Sequence, residues 1–321
     1  MIPRRTALGL AIATPALGAW APDRPVRILV GFAAGGGTDI VARLMAEPMR
    51  AALGQPVLIE TRAGSSGQVA ALAAARAAPD GTTLLLATAG EIVNAPLLSP
   101  GRLAYDPVRD LAPITNAVRV PNVLVVGAGV PARNAAELLA LARARPGGLT
   151  YGSSGVGNLA HLNGELINRL ASVQLTHVPY RGAAAAIADV VAGRVTMMFS
   201  GLPVLMPLVQ GGQLRVIGVT SAGRMRALPD VPALAETPEL AGYELENWFG
   251  LFAPAGLTAA MSQAIHAAAT GALRDADIAR RLAEQGVEPD PGTPVQFAAF
   301  LARESAKLGE IIRAANITLE G

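Results

Sequence analysis

Two glycine-rich loops, one in each half of the chain, carry residue types suited to holding an anion. They span residues 32–39 and 152–158, and each joins a short apolar run to a stretch with the apolar spacing of an amphipathic helix. Backbone N–H groups at such a junction are unpaired and point at one place, with the positive end of the helix dipole behind them. One such loop fits a tight connection equally well, but two of them favour a site for a carboxylate or phosphate.

These loops lack the side chains that nucleotide binding requires. Gly31, Gly36 and Thr38 have the spacing of a phosphate-binding loop, but Gly37 occupies the position of its lysine. The second loop fits the glycine spacing of a dinucleotide-binding turn, yet the next predicted strand ends at residues 179–181 without the acid that binds ribose. We therefore expect no nucleotide and no other cofactor.

Catalytic and metal-binding sets are also missing. Four serines stand beside glycines in contexts that differ from the G-x-S-x-G nucleophile turn: Ser65, Ser66, Ser153 and Ser154. The base for such a serine would be His161, which follows the second loop and is equally suited to hydrogen-bonding that loop or a ligand. The chain has no cysteine, a single lysine and three histidines without metal-ligand spacing, so we expect neither an enzyme nor a metal site.

The elements that position the loops alternate between short apolar runs and longer alanine-rich stretches. Strands are predicted at residues 26–31, 83–87, 123–127, 149–151 and 214–220, among others, with helices between them. This alternation is typical of a mostly parallel sheet covered by helices, an α/β fold. Residues 229–242, rich in proline and glycine, are predicted to form a surface connection.

The N-terminal segment differs from the rest of the chain. Arg4 and Arg5 precede an apolar run over residues 7–17, and residues 19–21 form a small-x-small cleavage site. We expect residues 1–21 to be a signal peptide cleaved near Ala21, with the mature protein in the periplasm. General secretion and the twin-arginine route both fit the arginine pair.

The charge balance excludes one class of partner. Removing Arg4 and Arg5 lowers the basic side chains from 26 to 24, which equals the number of acidic ones. The mature chain is therefore near neutral and has no basic stripe with interleaved aromatic residues, so we expect no nucleic-acid binding.

Eight segments in the same order carry a resemblance to a known family. They lie at residues 32–39, 78–81 (APDG), 105–110 (YDPVRD), 151–157 (YGSSGVG), 177–182 (HVPYRG), 228–232, 247–251 and 314–317. The chain resembles the substrate-binding proteins of tripartite tricarboxylate transporters, the Bug family of periplasmic receptors, from the signal segment to the C-terminus.

The resemblance implies a type II periplasmic-binding-protein fold, with two doubly wound α/β lobes and a ligand cleft between them. We expect residues 22–122 and 248–321 to form lobe 1 and residues 123–247 to form lobe 2. The two loops and the resemblance together predict these ligand contacts: Phe32, Ala34, Gly36, Gly37, Thr38, Asp39, Thr88, Ser153, Ser154, Gly157, Asn158, His161, Arg181 and Ser200. Because an ionised Asp39 cannot receive a carboxylate, its expected role is to cap the helix and to orient loop amides or water.

The function implied is capture of a small carboxylate and its delivery to the membrane permease subunits of the transporter. We expect a monomer that closes its lobes around the ligand. Two alternatives stay open: a sensory receptor that feeds a two-component system, and a hydrolase or dehydrogenase. A kinase gene beside this one would favour the first, and turnover lost on replacing Ser154 or His161 would favour the second.

Overall fold

The computed structural model describes residues 20–180 and 182–318. All but the last two residues of the predicted signal peptide, and the predicted contact Arg181, lie outside these ranges.

Short β-branched and leucine-rich runs form the strands, most of them with their apolar side chains buried. The strands are β1 (Val26–Val30), β2 (Val57–Thr61), β3 (Thr83–Thr88), β4 (Leu111–Val120), β5 (Asn122–Gly127), β6 (Leu149–Ser153), β7 (Leu175–Pro179), β8 (Met197–Gly201), β9 (Leu214–Val219), β10 (Asn247–Pro254) and β11 (Glu288–Pro289).

Alanine-rich and leucine-rich stretches form helices that cover the sheets. They are α1 (Gly37–Leu53), α2 (Gln68–Ala75), α3 (Ala95–Leu98), α4 (Ala135–Ala144), α5 (Leu159–Ala171), α6 (Ala183–Val191), α7 (Leu202–Gln210), α8 (Ala259–Arg274), α9 (Ala276–Glu284) and α10 (Pro294–Ala314). A wide π-type turn, Gly90–Asn94, leads from β3 into α3. Within the described residues, none of the helices is both long enough and apolar enough to cross a lipid bilayer.

Two mixed sheets divide the molecule into two lobes. The first has the strand order β11-β4-β10-β3-β1-β2 and the second β7-β6-β8-β5-β9. Strands β1, β2 and β3 run parallel in the first sheet, and β6, β7 and β8 run parallel in the second. Parallel strands joined by covering helices give the doubly wound arrangement predicted from the sequence.

The chain crosses between the lobes at two adjacent places. Strand β4 ends at Val120 in the first sheet and β5 begins at Asn122 in the second, while the return crossing leads into β10 at Asn247. The two crossings are hydrogen-bonded neighbours, because Asn247 pairs with Val120 in an antiparallel ladder. Two short neighbouring crossings form a hinge. The predicted lobe limits at residues 122/123 and 247/248 stay predictions.

Several elements were absent from the sequence prediction or were read differently. Strands β4 and β11 and helices α3, α7 and α9 were not predicted. The segment over residues 229–242 is not a purely surface connection, because it buries Leu234 and Leu240 completely in two short 3-10 turns. Helix α1 begins at the N-cap Gly36, without a side-chain cap from Thr38 or Asp39. Leucine burial in a proline-rich stretch depends on packing that local composition does not encode.

Candidate ligand-binding site

A cavity of about 490 Å³ lies between the lobes, at the carboxyl ends of their parallel strands. Phe32 follows β1, Thr88 ends β3, Ser154 follows β6 and Ser200 lies near the end of β8, and all four line it. Asn122 and Asn247, at the two crossings, also line the cavity. Open α/β sheets place their ligand sites at this edge.

The cavity lining is polar but neutral in the part of the chain that the structure describes. Its polar side chains are those of Ser66, Gln68, Thr88, Asn94, Asn122, Ser154, Asn158, Ser200 and Asn247. Its larger apolar side chains are those of Phe32, Leu98, Val156, Leu159, Met198 and Phe199. No charged side chain is among the described residues of the lining, and these residues can hold an anion by dipoles and hydrogen bonds.

Helix N-termini supply those dipoles. Gln68, Leu159 and Ala183, the first residues of α2, α5 and α6, all line the cavity. In α5 the side chain of Asn158 accepts a hydrogen bond from the backbone N–H of His161 at 3.0 Å, which caps the helix. The N–H groups of Leu159 and Ala160 have no intrahelical acceptor, because they belong to the first turn. They are available to a carboxylate.

The second loop also contacts the opposite lobe. The Nδ2 of Asn94 donates to the carbonyl oxygen of Gly157 across 3.4 Å, and the Oδ1 of Asn94 has no partner although its side chain is buried. Gly157 has a φ of +74°, and a Cβ at this position would lie 2.5 Å from Cδ1 of Leu98. The positive φ favours glycine here, and a larger residue would also press on Leu98 of the opposite lobe.

Two stacked histidines support the second loop from behind. The His161 and His177 rings are parallel to within 8°, with centroids 3.7 Å apart. His161 Nδ1 accepts a hydrogen bond from the N–H of Gly157 at 3.0 Å, and His177 Nε2 lies 2.6 Å from the hydroxyl oxygen of Ser153. Burial lowers the pKa of both histidines to about 4, and for His177 the neighbouring His161 contributes to that shift. Both rings are therefore neutral at pH 7.

The Ser153–His177 pair is not exposed to the cavity. Ser153 is fully buried, and neither residue is part of the lining. Ser154, which does line the cavity, accepts a hydrogen bond from Nδ2 of Asn158 at 2.7 Å. In the described residues no serine of the lining is hydrogen-bonded to a histidine.

The first loop lies farther from the cavity than its resemblance to the second loop suggests. Among its residues only Phe32 lines the cavity. Asp39 is buried, and its Oδ2 accepts hydrogen bonds from the N–H of Gly35 at 2.9 Å and from Nε of Arg43 at 2.8 Å. The Arg43 hydrogen bond lowers the pKa of Asp39 in spite of its burial. Asp39 thus orients a loop amide, one of the roles expected of it.

The structure therefore gathers part of the predicted set. The predicted residues that line the cavity are Phe32, Thr88, Ser154, Gly157, Asn158 and Ser200. Those that lie outside the lining are Ala34, Gly36, Gly37, Thr38, Asp39, Ser153 and His161, while Arg181 is outside the described residues. Sequence reasoning missed the other polar residues of the lining, which are Ser66, Gln68, Asn94, Asn122 and Asn247. Asn247 could have been found from the sequence, because it is the first residue of the 247–251 segment, one of those that carry the family resemblance.

Two α/β lobes, a double crossing between them and a polar cleft at the strand ends define a two-lobed solute-binding protein. Comparison with known proteins makes the assignment specific. The family model described as tripartite tricarboxylate transporter family receptor matches residues 41–317. The chain belongs to this family.

Solved structures agree with the assignment. The periplasmic binding protein BugD superposes with a TM-score of 0.75 at 30% identity, covering 93% of this chain and 100% of its own. A protein of R. palustris solved with adipate gives a TM-score of 0.79 at 34% identity, covering 92% and 99%. MatC from Rhodopseudomonas palustris, with bound malate, gives 0.74 at 32% identity, covering 91% and 99%. The predicted family and the two-lobed periplasmic-binding fold are confirmed.

Proposed function

We propose that this chain is a periplasmic receptor that captures a small carboxylate between its lobes and delivers it to the membrane subunits of a tripartite tricarboxylate-type transporter. The observation that carries the proposal is the interlobe cavity, which combines helix N-termini with neutral hydrogen-bonding side chains. Its volume of about 490 Å³ suits a small organic acid. Relatives solved with adipate and malate support the same ligand class.

The proposed contacts divide between the lobes. Thr88 and Asn94 belong to the first lobe, whereas Ser154, Asn158 and the α5 N–H groups belong to the second. A carboxylate bridging both sets stabilises the closed arrangement, in which Asn94 and Leu98 contact Gly157. Capture requires affinity without turnover, so the receptor acts as a monomeric binding protein and not as an enzyme.

Ligand capture is tested by a thermal-shift screen of residues 22–321 against mono-, di- and tricarboxylates, amino acids and nucleotides. We expect adipate or malate to raise the midpoint by several degrees, because a ligand at about a hundred times its Kd stabilises by about 2.7 kcal/mol. Adipamide is the matched control, since it has the length of adipate without its charges. Equal shifts with adipate and adipamide, or shifts with nucleotides alone, would refute carboxylate capture.

Delivery is tested by uptake of the labelled acid into cells that contain the membrane subunits. We expect uptake to be lost when the receptor gene is deleted and restored when the full chain is supplied. Restoration by a chain without residues 2–21 would contradict the periplasmic location, because that variant lacks the predicted export signal. Uptake that is unaffected by the deletion would remove the transport role.

A further inference from the structure

A buried carboxyl group lies directly behind the cavity wall. Glu91, in the π-type turn after β3, has no exposed surface. Its Oε1 accepts a hydrogen bond from the backbone N–H of Thr88 at 2.9 Å, and its Oε2 lies 2.6 Å from the Thr88 hydroxyl oxygen. Thr88 itself lines the cavity, so Glu91 is separated from a bound ligand by one side chain.

Among the described residues, the surroundings of Glu91 contain no compensating cation. Gly67, immediately before α2, has a φ of +91°, and a Cβ there would lie 2.6 Å from the carboxyl carbon of Glu91, so the glycine leaves room for this group. The Tyr105 hydroxyl donates to the backbone oxygen of Glu91 at 2.6 Å. On α10, which packs against the same turn, Glu304 and Lys307 form an ion pair with each other.

Burial without a cation has a direct electrostatic consequence. In the described part of the chain, no charged side chain forms an ion pair with Glu91, and its only side-chain partner is Thr88. Burial raises the pKa of Glu91 to about 7, in spite of the two hydrogen bonds that favour its charged form. The carboxyl therefore changes charge near neutral pH.

The hydrogen-bond capacity of Thr88 links this carboxyl to the cavity. A threonine hydroxyl donates one hydrogen and accepts two hydrogen bonds. One acceptor site is used by the N–H of Gly90, at 3.0 Å. When Glu91 is ionised it must accept the hydroxyl hydrogen, so Thr88 can offer a ligand only a lone pair, with a negative charge behind it.

Protonation reverses this arrangement. The acid O–H of Glu91 then donates to Thr88 Oγ1 over the same heavy-atom distance, which fills the second acceptor site of the hydroxyl. The hydrogen of Thr88 becomes free to point into the cavity. A carboxylate there gains a donor and loses a repelling charge.

We propose that Glu91 couples carboxylate capture to the uptake of one proton. The proton passes from solvent to Oε2 of Glu91, the Thr88 hydroxyl turns to donate to the ligand carboxylate, and no covalent bond of the ligand changes. Glu91 is thus a positioning residue that acts through Thr88. The inference rests on the proposed function, since it assigns a regulation to that carboxylate site.

The test measures the Kd of adipate, or of malate if malate gives the larger thermal shift, between pH 6 and 9. For the wild type we expect Kd to rise about tenfold from pH 6 to 8 and about tenfold again by pH 9, because the ionised form must first take up a proton. Calorimetry at pH 8 in buffers of different ionisation enthalpy should give an uptake of about one proton per ligand bound. A Kd independent of pH, or binding without proton uptake, overturns the coupling.

Glu91→Gln is the matched variant. Its amide N–H donates to Thr88 as the protonated acid does, so we expect tight binding that is independent of pH and takes up no proton. Thr88→Val removes the hydroxyl with little change of shape and should reduce the pH dependence to the part that charge repulsion from Glu91 causes, while Thr88→Ser should retain the full pH dependence. These two variants keep the proposal testable if Glu91→Gln fails to fold by circular dichroism.

Another carboxyl must be separated from this effect. Glu246, at the hinge, is hydrogen-bonded to Arg119 at 2.9 Å, and its burial also raises its pKa to about 7. Glu246→Gln should leave the proton uptake unchanged, and loss of uptake in that variant alone would overturn the assignment to Glu91. A screen in which no carboxylate binds rejects the proposed function as a whole, whereas binding that is independent of pH rejects only the coupling.

Discussion

Replacing Gly157 with valine is expected to weaken carboxylate binding about a hundredfold, a loss of about 2.8 kcal/mol, while the ligand-free protein stays folded. Two features of the position act together. Gly157 has a φ of +74°, where side chains other than glycine are strained, and its Cβ would lie 2.5 Å from Leu98 of the opposite lobe. Because the clash exists only when the lobes approach, it opposes closure more than folding.

Two further variants separate the clash from the backbone strain. Gly193 has a φ of +72° and no atom within 4 Å of its Cβ position, so Gly193→Val carries similar strain without the interlobe contact. We expect that variant to bind normally. Combining Gly157→Val with Leu98→Ala should recover part of the affinity, because the colliding atoms are removed. Calorimetric titration of all four proteins provides the check, and wild-type affinity in Gly157→Val would show that this contact is unnecessary for binding.

The second prediction concerns the stability of the fold. It involves a glycine of strand β10, the strand that follows the return crossing into the first lobe. Gly250→Ala is expected to lower the free energy of unfolding by about 3 kcal/mol, since overpacking a rigid core is costly. A Cβ at Gly250 would lie 2.2 Å from Cζ of Phe297 and 3.0 Å from the Phe252 ring. Both rings are fully buried and packed against each other with centroids 5.2 Å apart, so neither has space to move.

The control for this substitution is another glycine without neighbours. Gly271, inside α8, has nothing within 4 Å of its Cβ position, so Gly271→Ala should stabilise the protein by up to about 1 kcal/mol through helix propensity. Urea unfolding of the ligand-free proteins measures both changes. Equal stability of the wild type and Gly250→Ala would mean that the aromatic cluster can rearrange, contrary to the close packing described here.

Part of the candidate site could be predicted, because the order of residues in a loop decides which of its side chains are exposed. The second loop was recognised from its glycines, and Ser154, Gly157 and Asn158 do line the cavity. The sequence prediction gives Ser153 and Ser154 the same role, although side chains of successive strand residues point to opposite faces. Strand β6 extends to Ser153, two residues beyond the predicted end, and so Ser153 is buried against His177 while Ser154 faces the cavity.

The position of the first loop relative to the cavity could not be predicted from its local sequence. It has the same strand, glycine and helix order as the second loop, but its Thr38 and Asp39 are buried and only Phe32 reaches the cavity. Neighbouring βα junctions of the first lobe, at Ser66 and at Thr88, supply the cavity wall instead. Strand order in the sheet decides which junction faces the other lobe, and that order depends on pairing between distant segments.

The α/β class and the family could be predicted from the sequence, because apolar periodicity and short motifs are local properties of the chain. Tertiary packing alone fixes which helix ends meet across the cleft, that Asn94 and Leu98 contact Gly157, and that Glu91 is buried behind Thr88 with no cation paired to it among the described residues. Those relations join residues of different elements, and in the case of Gly157 of different lobes. The burial of these residues and the distances between them are fixed only when the lobes pack together.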